Sequence, residues 1–297
     1  MDIDLPLRKY VYQIIASFFL VCAATQGFAE GHGDKQQYPW VEHWTDDLPA
    51  HAPLEQTFNP PHGFERVRLD EKSFGHWLRQ LPIRMDRTDV LSYRGEPLAR
   101  PSAAVVLLDV GTRDLQQCAD SIIRLHGEYL WHRGHGHRAA YHFTDRQRTA
   151  WIDWVKGERF DVVNKRLKRA RGRPRQNHYK NYRRWLTYVF IYAGTRSMKF
   201  DSNSVDVNVL MPGDFFVRPG GPGHAVLILD VAVNASGERV GLLGQGFMPA
   251  EDFHVLKAKN ALNGVWFPLP ETDSAGVATP SWHQPFRKQD ARRFKTD

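Results

Sequence analysis

The sequence predicts an α+β fold: an antiparallel sheet packed on a cysteine-bearing helix, with a helical basic insertion between them. Three observations lead there. Asp114 to His132 reads as one helix, because Leu115, Cys118, Ile122, Leu125 and Tyr129 recur at steps of three and four. Met211 to Phe247 reads as three strands in a row, most simply antiparallel because short turns join them. Between these blocks, Arg159 to Arg184 holds eleven Lys/Arg and a single acid, Asp161, although the whole chain carries only +7. The basicity is therefore one local feature.

Taken in order, residues 1–29 have the grammar of a secretory signal. Arg8 and Lys9 flank the apolar run Tyr10 to Thr25, and Gly27-Phe28-Ala29 offers small residues at the cleavage positions. Cleavage after Ala29 would remove Cys22 and leave Cys118 as the only thiol, so no internal disulfide could form. An exported, periplasmic or envelope location is expected, with a lipoprotein at Cys22 or an uncleaved anchor as the lesser alternatives. Residues 30–61 are rich in Pro, His and Asp without a clear period, and read as an exposed lead-in. Residues 62–297 are expected to form one α+β domain with the basic helical insertion at about 159–193. A hydrophobic content of 42% with 12% aromatics suits a globular chain and excludes a disordered one.

Ser73 to Leu81 predicts a short amphipathic helix capped by Ser73 and stopped by Pro82. Asp89 to Tyr93 and Ala103 to Val110 predict strands. In the long helix, Asp114 is placed to cap the start, and Cys118 lies near the positive end of the dipole, where a thiolate is favoured. The alternative is a buried core thiol, since cysteine also packs as a small hydrophobe. Gly134-His135-Gly136-His137 ends the helix. With His126, His132 and His142 it suggests a metal site, but no HExxH-type spacing is present, so neither metal nor cofactor is expected. The basic segment divides into helix candidates at about 160–171 and 177–193, and the tail from Thr279 reads as peripheral. Arg169, Arg171, Arg173 and Arg175 are candidate anion-binding residues. In an exported protein their partner would be an envelope polymer or a lipid surface, not nucleic acid. The sequence specifies no oligomeric state.

The strands are expected at Asp214 to Val217, His224 to Val233 and Arg239 to Phe247, with edge strands at Phe253 to Leu256 and Val265 to Pro268. The blocks GTRDLQQCADSIIRLHGEYLW, YAGTRS, MPGDFFVRPGGPGHAVLILD and GQGFMPAEDFHVLK resemble those of the bacterial domain-of-unknown-function family numbered 4846, from about Pro61 onward. The order of a Cys helix, a GD strand and a His strand is similar to the layout of NlpC/P60-type thiol hydrolases. That resemblance implies a papain-like fold and cleavage of amide bonds in cell-wall peptides. A thiol attacking an amide needs a nearby base, for which His224 is the candidate, and an acceptor to orient the imidazole. Gln245 is the first choice for that acceptor and Asp230 the second. Gln116 or Gln117 could serve the oxyanion. The opposing expectation is a non-catalytic envelope protein that binds a cell-wall, carbohydrate or other anionic ligand, with Cys118 buried and His224 pinning a turn.

Overall fold

A run of residues apolar on both sides belongs in the middle of a sheet, and His224–Asn234 is that run. The computed structural model describes residues 38–44, 48–270 and 276–295, so the expected signal segment and Cys22 lie outside the described residues. Among the described residues, nine strands form the main sheet. In chain order they are β1 (Phe64–Arg66), β2 (Ser102–Val105), β5 (Ser202–Ser204), β6 (Phe215–Arg218), β7 (His224–Asn234), β8 (Arg239–Gln245), β9 (His254–Leu256), β10 (Trp266–Pro268) and β11 (Ala291–Phe294). A separate hairpin supplies β3 (Glu158–Val163) and β4 (Arg166–Arg171). The main path runs β5-β11-β6-β7-β8-β9-β2, with β10 on β8 and β1 on β7, and every pairing is antiparallel.

Both faces of the sheet are covered. Ala225, Leu227 and Leu229 enter one core with Cys118, Ile122 and Trp185, while Val226 and Ile228 enter a second with Phe216, Leu243 and Phe286. This alternation follows from the two-residue repeat of a strand. The fold is thus mixed α and β, with mostly antiparallel sheets and few helices.

Three helices pack on the first face. α1 spans Phe74–Arg79, and the Ser73 hydroxyl accepts from the His76 N–H at 3.1 Å. α2 spans Cys118–His132. α3 spans Tyr179–Tyr192 and buries Tyr182, Trp185, Leu186 and Val189. Asp114 does not cap α2. Gln117 and Asp120 form a capping box instead, which makes Cys118 the first helical residue. Asp114 turns outward, where its carboxylate accepts from the Ala250 N–H and the Gln117 amide.

Three stretches differ from expectation. The first helix of the basic insertion is the β3–β4 hairpin, in which Val163 faces Arg166 and Val162 faces Leu167. Asn164 and Lys165 have positive φ of 50° and 61°, the conformation of a two-residue hairpin turn that matches strand twist. The described part of the lead-in, residues 38–44 and 48–61, is also structured. Pro39–His43 forms a 3-10 turn, His51–Pro53 pairs with Pro82–Arg84, and buried Trp40 donates its indole N–H to the Leu107 carbonyl at 2.7 Å. The tail is not peripheral, because β11 lies between β5 and β6 and buries Phe294. Arg293 on β11 clamps both oxygens of Asp214 at 2.6 and 2.7 Å. No helix among the described residues is long and apolar enough to cross a membrane.

Candidate ligand-binding groove

The start of α2 opens into a groove of about 460 Å³. Its walls are the first turn of the helix, the Ala193–Arg196 loop after α3, and the Gly220–Gly223 turn before β7. Glycine lets these walls meet. A Cβ on Gly223 would stand 2.4 Å from the Thr195 hydroxyl oxygen and 2.6 Å from the Gly220 nitrogen. A Cβ on Gly246 would stand 2.6 Å from the Ser121 hydroxyl, so glycine there seats α2 against the end of β8. Exposed Arg196 brings a cation, its guanidinium near Gly221.

Two acidic groups of α2 line this groove. Cys118 is 5% exposed, and burial, then the nearby Asp120 carboxylate, push its thiol up to about 12. The N–H groups of Ala119 and Ala225 offset only part of that. The helix dipole therefore does not produce a thiolate here, because desolvation outweighs it. Asp120 is also buried, and burial holds its carboxyl well above the usual carboxylate range. Its Oδ2 accepts from the Gln117 N–H, and its Oδ1 has no partner. A buried polar atom without a partner costs about 1–3 kcal/mol.

His224 is elsewhere. Ala225 shares the core of Cys118, so His224, the residue before it on the strand, projects to the other side. The His224 ring lies 5.4 Å from Trp282 and 6.0 Å from Phe286, on the far face. Its Nε2 is bonded to the Gln245 side-chain oxygen at 2.8 Å. Gly244 and Gly246 point toward Leu229 and Ser121, which leaves Gln245 between them facing away from α2. The Cys118–His224 contact expected from chain order is thus not formed, because the sheet stands between the two side chains. Asp230 does not compete for the imidazole; Arg66 and Arg79 hold it at 2.7 Å each.

Gln116 is not free for an oxyanion. It is 1% exposed, its oxygen accepts from Arg124 at 2.8 Å and Arg183 at 3.1 Å, and its amide donates to the Asp109 carbonyl. Gln117 lines the groove but spends its amide N–H on Asp114. The four arginines lie on the exposed basic arm. Arg169 pairs with Glu158, and Arg171, Arg173 and Arg175 are exposed. The sequence reading gave no role to Asp120, Thr195 or Arg196, nor to the buried Arg124–Glu128 pair at 2.5 Å. The i, i+4 spacing of that pair was the available signal.

Across residues 54–293 the sequence matches the family described as "Domain of unknown function (4846)". The chain belongs to that family. No curated protein and no solved structure matches it. Nothing in these comparisons supports the likeness to NlpC/P60 hydrolases.

On the far face of this DUF4846 chain, His224, Gln245, His254 and Glu251 are all fully buried. Arg100 bonds Glu251 at 2.7 Å, and the His254 Nδ1 reaches the Asp252 carbonyl at 3.1 Å. Among the described residues, no cluster of His, Cys, Asp or Glu could hold a metal ion. Burial pulls both imidazoles down to about 4, and His126 to about 3. Each of these histidines is neutral in the fold, so it adds stability above the unfolded pKa of 6.5 that is lost as pH falls toward 4 and below. Stability of the chain should therefore fall between about pH 6.5 and 4, and His254→Gln should flatten that slope in urea melts. A slope unchanged by the substitution would remove His254 from the account.

Proposed function

We propose that the chain is a non-catalytic, exported binding protein of the cell envelope, and that its groove at the start of α2 takes a polar cell-wall glycan or peptide fragment. The observation that carries this reading is the lining of the groove, which includes the buried carboxyl of Asp120, whose Oδ1 has no partner, the exposed guanidinium of Arg196 and the glycine turn at 220–223. Asp120 in its protonated form donates to a ligand oxygen, Arg196 meets an anionic group, and the glycines leave backbone within reach. The thiol-hydrolase alternative needs a thiolate and an adjacent imidazole. Here the thiol holds its proton up to about pH 12, and the imidazole is bonded to Gln245 on the other side of the sheet.

The basic arm would serve the same function by holding the anionic polymer from which the fragment comes. Titration calorimetry with soluble cell-wall fragments should give saturable binding that Arg196→Ala weakens by about tenfold, the worth of one charge-assisted contact. Co-sedimentation with an anionic wall polymer should weaken steeply with salt and with joint replacement of Arg169, Arg171, Arg173 and Arg175 by Gln. The chain isolated from the envelope should begin at Glu30. A cleaved fragment that disappears with Cys118→Ser would return the protein to the thiol hydrolases.

A further inference from the structure

A second cavity, of about 290 Å³, shares no lining residue with the groove. It lies where the end of α2 meets the strand Ala140–His142 and the end of β11. Its floor is aromatic. Tyr141 and Phe294 are buried, and the Phe294 ring stacks on His126 at 3.9 Å with 10° between planes. Its rim is cationic, formed by Arg138, Arg148 and Lys295.

The charges do not cancel. Asp201 is the one carboxylate among the lining residues, and His142 occupies both of its oxygens, the ring at 2.5 Å and the backbone N–H at 3.0 Å. The Lys295 ammonium donates to the Phe200 carbonyl, a neutral partner, and has no ion pair with a described carboxylate. Neither Arg138 nor Arg148 has an ion pair with a described carboxylate. Three cations therefore line an aromatic-floored cavity against a single carboxylate, Asp201, that His142 already engages.

We propose that this cavity binds a small phosphate ester whose organic part is flat or apolar. Guanidinium groups match phosphate oxygens in geometry, and a dianion suits three converging cations better than a carboxylate does. The ring floor would take the organic part by stacking. This inference does not rest on the reading of the groove.

Titration calorimetry of the purified chain with phenyl phosphate, inorganic phosphate, benzoate and phenol tests it. Phenyl phosphate should bind one per chain, at least about tenfold tighter than any of the other three. The double variant Arg138→Gln/Arg148→Gln should weaken it by at least about tenfold, while Lys257→Gln/Lys259→Gln, exposed cations outside the cavity lining, should change it by less than about twofold. Should the first variant fail to fold, two single variants with opposite expected signs replace it. Lys295→Gln should weaken binding, and Asp201→Asn should tighten it by removing the one negative charge. The proposal is overturned by absence of saturable binding, by benzoate or phenol binding as tightly as phenyl phosphate, by equal losses in the two double variants, or by single variants that move in the wrong direction.

Discussion

Arg124→Ala should destabilise the protein by about 3–5 kcal/mol, the cost of removing one partner from a buried ion pair. Arg124 is fully buried on α2, where it donates to Glu128 at 2.5 Å, to the Asp109 carboxylate at 2.8 Å and to the Gln116 oxygen at 2.8 Å. Burial works against its charge, and the Asp109 and Glu128 carboxylates together outweigh burial and raise its pKa. Without the guanidinium, Glu128 would keep only the Tyr179 hydroxyl at 2.8 Å, inside the protein. The same residues tie three elements together, because Arg183 on α3 also reaches Gln116 and Asp109. Glu128→Gln should cost less, since an amide oxygen still accepts from both Arg124 and Tyr179. Urea melts of the two variants measure the difference. A loss below about 1 kcal/mol for Arg124→Ala would mean that water replaces the missing partner.

The second large effect is on the thiol. With its pKa moved from 9.0 to about 12, Cys118 in the native chain should react with a thiol reagent at pH 8 roughly a thousandfold more slowly than an unhindered thiol, three pKa units being three decades of thiolate. The sign for stability follows. The fold keeps the proton that the unfolded chain loses, so this contribution is complete below pH 9 and is lost as pH rises toward 12. Alkaline melts should therefore show a falling limb that Cys118→Ser flattens. Rapid labelling of the folded chain at neutral pH would show instead that the groove exposes an activated cysteine.

The elements with a long, regular apolar pattern could be read from sequence. Cys118, Ile122, Leu125 and Tyr129 mark α2 because helical spacing repeats over about three turns, and β7 is apolar enough to declare itself central. The hairpin at 158–171 could not be read in this way. Its cations cluster as they would on a helix face, and only the Asn164-Lys165 turn separates the two readings. The short elements of the lead-in were equally obscure, since Trp40 packs through tertiary contacts that no local period announces. For the site, chain order named Cys118, His224 and Gln245, and two of the three are bonded. What order could not convey is parity. One residue of shift along a strand decides which face a side chain takes, and the face follows from Ala225 packing on α2.

The position of β11 bears on how this chain is made. Residues 202–204 and 215–218 are synthesised well before residues 291–294, yet they are joined in the sheet only through β11. Until that late segment leaves the ribosome, the two earlier strands each present an unpaired edge, and the Asp214 carboxylate waits for Arg293. Vectorial folding therefore stalls short of the finished sheet. Before that point the open edges are exposed to edge-to-edge association.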